Sequence, residues 1–352
     1  MSARISIIMP CYKAEKYIED ILSDILAQTF TDWELIAVSN GEGQEMQLAI
    51  IQRFAEIGGG RIKIFTEEKG NVSNARNIGI RAATGEWITF SDADDRIAPN
   101  HLQLFMDKVQ EADTDIVIGG FKLARTKEGN VCDNRLTDNN LLTKREIMSL
   151  SQTTIGFPWN KCFRASFLRK SGVLFEEKWT YQEDYFFMLN LLQLSPMVSS
   201  LEMCGYTYIC RDEVSTVSRY NRQYGEVRAL SLEISCRLMK DAGFTEGEIN
   251  DYVSFTTYMD SYFFVCNLFK QGSPLSLCEQ RKEIKAYIFD NKERRAKIKA
   301  KNRGDHTPFL RIYDTLFDIG SPLLMALAFR LQYWLKYHMK PLYLKVVPWL
   351  RR

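Results

Sequence analysis

Histidine is scarce in this chain, long apolar runs are missing, and cysteine never recurs at close spacing. The three histidines, His101, His306 and His338, stand alone, which favours structural or surface roles over catalysis. The eight cysteines are scattered with no Cys-x-x-Cys pair, which argues against a zinc site or a disulfide framework and for reduced thiols in the cytosol. No stretch of about 18 uncharged apolar residues is present, so no spanning helix is expected. The first residues lead straight into a strand-like run, and no signal peptide is expected. Gly58-Gly59-Gly60 is not followed by Lys-Ser/Thr, so it reads as a turn rather than a phosphate cradle. The first strand leads into Pro10-Cys11-Tyr12-Lys13 rather than Gly-x-Gly-x-x-Gly, which weighs against a dinucleotide-dependent oxidoreductase. A net charge of +2 over 352 residues gives no global pull towards nucleic acid.

What is present is an alternation. Residues 5–9 form a nearly continuous apolar run, as expected of a strand buried on both faces. Tyr17, Ile18, Ile21, Leu22, Ile25 and Leu26 then recur at helical spacing. Strand-like runs return at residues 34–38, 62–65, 87–90 and 115–118, separated by helical patterns through Met46, Ile50 and Phe54, through Val72 to Ala82, and over residues 99–109. This βαβα order predicts an α/β fold with a mostly parallel sheet flanked by helices. Residues 122–140 are polar and read as a hairpin or loop, and Thr143 with Glu146 reads as a capping box. Residues 157–161 read as an aromatic-rich loop, and Gln182-Glu183-Asp184 opens an apolar helix. Beyond Arg222 the pattern is helical, giving an expected division into residues 1–220 and 221–352.

The fourth strand runs into Ser91-Asp92-Ala93-Asp94-Asp95, which packs three carboxylates into four residues. Like charges this close repel unless a cation neutralises them. A hard divalent ion takes carboxylate oxygens and leaves room for phosphates. In open α/β sheets, ligands bind beyond the carboxyl ends of the strands, where these acids sit. Alone, an acidic turn is the plainer reading.

Several stretches occur in one order: Ile7-Ile8-Met9-Pro10-Cys11-Tyr12, Asn74-Ala75-Arg76-Asn77-Ile78-Gly79, Ala83-Thr84-Gly85-Glu86-Trp87-Ile88, Phe90-Ser91-Asp92-Ala93-Asp94-Asp95, and later Glu183-Asp184. Together they resemble the inverting family 2 glycosyltransferases with the GT-A (Rossmann-like) fold, over roughly the first 220 residues. The resemblance implies that Asp94, with Asp92, binds Mn²⁺ or Mg²⁺ at the donor diphosphate, and that Asp95 organises the site from behind. It implies that Pro10, Tyr12 and Arg76 border the nucleotide, that Asp92 also reaches the donor ribose, and that Arg211 and Ser215 belong to a late loop over the diphosphate. Asp184 is then the catalytic base with Glu183 beside it, and Trp159, Asn160 and Lys161 form the acceptor-side loop. The implied reaction moves a hexosyl or N-acetylhexosaminyl group from a nucleotide-diphosphate sugar, a UDP-sugar foremost, to a glycan or lipid-linked acceptor. Such general-base help is typically worth about 10²–10⁴-fold.

The chain departs from the family pattern after its second strand, where Ser39-Asn40 stands in place of two acids, the latter of which reaches the uracil in the family. The Asn40 amide can still hydrogen-bond a base. The departure motivates a second reading, a catalytically weak relative that binds nucleotide or glycan. In the C-terminal region, Lys292, Arg294, Arg295, Lys297, Lys299, Lys301 and Arg303 form a basic run opposed only by Glu293. Residues 309–350 then interleave Leu, Tyr, Trp and Phe with Arg330, Lys336, Lys340 and Lys345. Such helices suit an anionic membrane interface, which would place the protein peripherally on the inner face of the cell membrane. A helical cap on the catalytic domain or a homodimer interface is the competing reading.

Overall fold

In a computed structural model of the chain, residues 4–125, 130–211, 219–300 and 308–339 are described. Two compact units emerge, Met1–Glu213 with Asp241–Gly243, and Val214–Lys240 with Phe244–Arg352.

The first unit opens with β1 (Ile5–Cys11), α1 (Ile18–Leu26), β2 (Trp33–Asn40), α2 (Glu45–Ile57), β3 (Ile62–Glu67), α3 (Val72–Ala82) and β4 (Trp87–Phe90). Every residue of β1, β2 and β4 is buried, as their mostly apolar character requires of strands covered on both faces, and the buried Ser6 hydroxyl donates to Glu34 at 2.6 Å. β5 (Arg96–Ile97), α4 (His101–Glu111), β6 (Ile116–Gly119), β7 (Phe121–Arg125) and β8 (Asn130–Asn134) follow. Next come α5 (Lys144–Ser149), α6 (Gln152–Gly156), β9 (Lys161–Arg164), α7 (Ala165–Ser171), α8 (Glu183–Leu192), β10 (Val198–Leu201) and β11 (Tyr206–Cys210).

Seven strands form the main sheet in the order β10-β6-β9-β4-β1-β2-β3. All neighbours run parallel except β9, which lies antiparallel between β4 and β6, with Ile88 opposite Phe163 and Val117 opposite Cys162. A smaller sheet, β5-β11-β7-β8, contains the β7–β8 hairpin expected from the polar segment. The capping box on α5 forms as read, with Thr143 accepting from the Glu146 amide and the Glu146 carboxylate accepting from Thr143. The sequence pattern misses β9, β10 and β11. Each has at most five residues, too few to show a period, and their pairing partners define them.

The second unit is helical: α9 (Tyr224–Asp241), α10 (Glu246–Leu268), α11 (Leu277–Ile284) running into a π-helical turn over Lys285–Phe289, α12 (Lys292–Ala300), α13 (Pro308–Ile319) and α14 (Pro322–His338). A buried Arg228–Asp260 ion pair at 2.6 Å ties α9 to α10. The basic run is partly structural. Arg294 lies 3.9 Å from the centre of the Tyr287 ring, Lys297 pairs with Glu293 at 2.5 Å, and Lys301 and Arg303 lie outside the described residues. The segment expected at a membrane interface divides as well. Tyr313 and Phe317 of α13 and Met325, Ala326 and Phe329 of α14 are buried, whereas residues 340–350 fall outside the described residues. No helix among the described residues is long and apolar enough to cross a membrane.

Candidate active site

The carboxyl ends of β1, β2 and β4 and the N-terminus of α8 bring most of the expected residues together. β4 ends at Phe90, and the chain then turns through Ser91, whose amide bonds back to the Ile8 carbonyl of β1. Asp92 and Asp94 project from this turn, while Asp95 faces inward. The Asp95 carboxylate accepts from the Tyr206 hydroxyl at 2.8 Å and from the Ile209 amide at 2.8 Å, and the same hydroxyl accepts from the Asp92 amide at 3.0 Å. Asp95 thus fastens the acidic turn to β11. Burial, with Asp92 and Asp94 alongside, holds its carboxyl well above the usual carboxylate range.

Two arginines answer the outer acids. Arg76 on α3 is nearly fully buried and donates to Glu183 at 3.0 Å and to Asp92 at 3.4 Å. Its guanidinium sits 5.2 Å from the centre of the Phe175 ring, and Asn77 holds that loop by bonding the Phe175 carbonyl and amide. Arg211 donates to Asp94 at 2.9 Å and lies 4.0 Å from the centre of the Tyr17 ring. Burial and Asp92 push the Asp94 carboxyl up, against the pull of Arg211.

Glu183 and Asp184 occupy the first turn of α8, where the helix dipole favours negative charge. Gln182 before them adopts a left-handed backbone at φ 56°, which sets the sharp entry into the helix. Asp184 keeps some accessible surface, yet the dense protein around it, followed by the Glu183 charge, pushes its carboxyl up to about 7 while Arg76 opposes the shift.

On the nucleotide side, Pro10 is buried within β1 opposite Val38, and the half-exposed Tyr12 ring lies against Gly41. Gly41 has φ +100°, and a Cβ there would sit 2.8 Å from that ring, so glycine is required. Asn40 at the end of β2 is 1% exposed, and its Oδ1 has no hydrogen-bond partner. Sequence reasoning missed Gln47. Its buried amide holds the loop after β1 by bonding the Cys11 carbonyl, the Ser39 hydroxyl and the Ala14 amide. Its place on the inner face of α2 was the available signal.

The aromatic-rich segment assigned to the acceptor side is packed inside the fold, and Lys161 opens β9. Trp159, Asn160 and Lys161 are all buried. Trp159 stacks on Tyr206 with ring centres 4.3 Å apart and on Phe157 at 4.6 Å. Asn160 donates to the Gly119 carbonyl at 2.9 Å. Lys161 Nζ donates to the Thr154 carbonyl at 2.8 Å, the Phe157 carbonyl at 2.5 Å and Asn160 Oδ1 at 2.7 Å. Burial lowers its ammonium to about 7, with Asp184 pulling the other way. All three therefore shape the wall behind the site. Ser215 lies outside the described residues. His101 is buried against the Cys204 carbonyl, the structural role its isolation implied.

Among the described residues no three His, Cys, Asp or Glu side chains converge as a self-sufficient metal cage. Asp92 and Asp94 nevertheless provide hard oxygen donors in a crowded acidic turn. That donor set fits a Mg²⁺-like ion that completes its shell with water and substrate phosphates.

Residues 6–171 match the model of the family described as Glycosyl transferase family 2. That matched segment, just under half of the chain, is similar to the family. The chain is 29% identical over 209 residues to a Bacillus subtilis (strain 168) protein described as the uncharacterized glycosyltransferase EpsJ, covering 58% of this chain and 60% of that one. It is 33% identical over 135 residues to the glycosyltransferase GlyG of Streptococcus pneumoniae serotype 4, covering 37% of this chain and 43% of GlyG. The chain thus spans less than two thirds of the length of these relatives. Its fold resembles that of S. aureus TarS residues 1–349, solved in complex with UDP-GlcNAc, with a TM-score of 0.63, 21% identity, and coverage of 94% of this chain and 92% of the TarS chain.

Proposed function

We propose that the protein transfers a sugar from a nucleotide-diphosphate donor, a UDP-sugar foremost, to a hydroxyl of a glycan or lipid-linked acceptor, with inversion at the anomeric carbon. The observation that carries this reading is the convergence of Asp92, Asp94, Arg76, Glu183 and Asp184 at the carboxyl ends of the parallel strands. The UDP-GlcNAc complex of TarS supports the same class of donor.

Each residue has a distinct task. The half-exposed Tyr12 ring offers the donor base a flat apolar edge, and Asn40 lies buried next to the Gly41 that this ring covers. Asp94 and Asp92 would hold the Mn²⁺ or Mg²⁺. Once bound, that ion supplies Lewis-acid neutralisation of the diphosphate leaving group. Asp184 accepts the proton of the attacking hydroxyl, and a carboxyl poised near 7 is well matched to that work. Glu183 is engaged by Arg76, which leaves Asp184 as the freer acceptor. Lys161 and Trp159 set the backbone behind the acceptor side without touching substrate. A lipid-linked acceptor in surface-polysaccharide assembly would place the reaction at the inner face of the cell membrane.

The replacement of an acid by Asn40 supports the second reading, a weak relative that binds nucleotide or glycan. One experiment separates the two. UDP-, GDP- and dTDP-sugars are incubated with the protein and Mn²⁺, nucleotide release is measured, and the anomeric configuration of any product is read by NMR. Release from a UDP-sugar with inverted product supports the transferase. Tight binding without release from any donor overturns it.

A further inference from the structure

α14 is apolar nearly all round, and a helix of that kind is normally enclosed. One face is: Met325, Ala326 and Phe329 are buried, with the Phe329 ring 6.1 Å from Tyr262 and 6.2 Å from Phe269 of α10 and its end. The opposite face carries Leu323, Leu327, Leu331 and Trp334 at spacings of four, four and three residues, so they form one stripe. Leu331 is 58% exposed and Trp334 49%, and Tyr337 extends the stripe towards the end of the helix. Exposed stripes this long mark a binding surface.

Charge decides the occupant. From position 319 to 352 the sequence contains no Asp or Glu, against six Arg and Lys. Arg330 is exposed on the stripe itself. A second copy docked through the same face would set Arg330 and Lys336 against their own counterparts, and α14 itself has no carboxylate to offset them. An anionic surface relieves them, and Trp and Tyr beside Leu suit the boundary between headgroups and acyl chains. We propose that the outer face of α14 is a docking surface for an anionic lipid bilayer, with the leucines and Trp334 entering the interface and Arg330 pairing with headgroup phosphates. This inference is independent of the donor chemistry, because none of these residues belongs to the candidate active site.

The test uses the full chain and extruded vesicles of phosphatidylcholine alone or mixed with phosphatidylglycerol. Co-sedimentation with the mixed vesicles at low ionic strength is expected, with weakening in high salt. Leu327→Glu with Leu331→Glu should reduce that partitioning by about 10-fold or more, and Trp334→Ala should reduce it to a lesser degree. Arg330→Gln should weaken binding to the mixed vesicles alone. The circular dichroism spectrum and UDP-sugar binding should be unchanged in every variant, since the altered side chains are already in water. Three results would each overturn the proposal: a wild-type chain that ignores phosphatidylglycerol vesicles at low ionic strength, a double variant that binds as well as wild type, or a dimer in sedimentation equilibrium that the same substitutions dissociate.

Discussion

Arg76 and Glu183 are 107 positions apart in the chain, yet a hydrogen bond of 3.0 Å joins them, and the same guanidinium reaches Asp92. One buried cation therefore connects the acidic turn after β4 to the acids that open α8. It sets the distance between the residues assigned to donor and metal and those assigned to proton transfer.

Removing that cation leaves two acids facing each other without a counter-charge. Arg76→Met should destabilise folding by about 3 kcal/mol, measured by urea denaturation, because a buried pair that loses one partner leaves the other uncompensated. Arg76→Lys should recover part of the stability but little activity, since an ammonium does not offer the planar fork that spans two carboxylates. Equal stability of wild type and Arg76→Met would show that the bridge contributes nothing to the fold.

Asp184 provides a pH test with a defined sign. Its carboxyl is raised in the folded protein to about 7 by burial and by Glu183. Between the unfolded value near 4 and that point, the native state holds more protons than the unfolded chain, so stability falls as pH rises through the window. Asp184→Asn should accordingly raise Tm at pH 8 and leave it unchanged at pH 4. Transfer by the wild type should rise with pH through about 7, and Asp184→Asn should lower kcat by about 10²–10⁴-fold while donor affinity is kept. Glu183→Gln belongs in the same series, and a larger kcat loss there would exchange the two roles.

Asp94 tests the metal assignment. Its pair with Arg211 is half-exposed, and such pairs contribute about 0–1 kcal/mol, so Asp94→Ala should fold normally. Calorimetric titration with a UDP-sugar in Mn²⁺ should nonetheless show affinity reduced at least about 10-fold. EDTA should reproduce the loss in the wild type and have little further effect on the variant. Full turnover in EDTA would sink the assignment.

Gly79 sits where α3 crosses β1, and a Cβ placed on it would lie 2.2 Å from Ile8 Cγ2. Gly79→Ala should cost about 1–3 kcal/mol through forced displacement of the helix that carries Arg76. Ile8→Ala in the same chain should give a combined loss smaller than the sum of the two, because each change accommodates the other. Strict additivity in a thermal-denaturation cycle would show that the helix does not bear on Ile8.

By itself the sequence determined the parallel core and where the candidate site residues fall along it. Runs as apolar as residues 5–9, polar only at Ser6, can be satisfied only by covering both faces, and the motif order then places Asp92 and Asp94 at a strand end. The helical period of α1 to α4 and the capping box of α5 were legible for the same local reason. Short-range pattern carries no information about β9, whose antiparallel place between β4 and β6 depends on pairing across some 45 to 75 residues of chain. Nor does it reveal that Trp159, Asn160 and Lys161 are buried, since an aromatic-rich polar loop reads alike whether it lines a surface or fills a core. The Arg76 bridge to Glu183 and Asp92, the unpartnered Asn40 oxygen and the outward stripe of α14 were decided only by tertiary structure. Whether a charge or an apolar side chain is satisfied depends on which distant groups folding brings beside it.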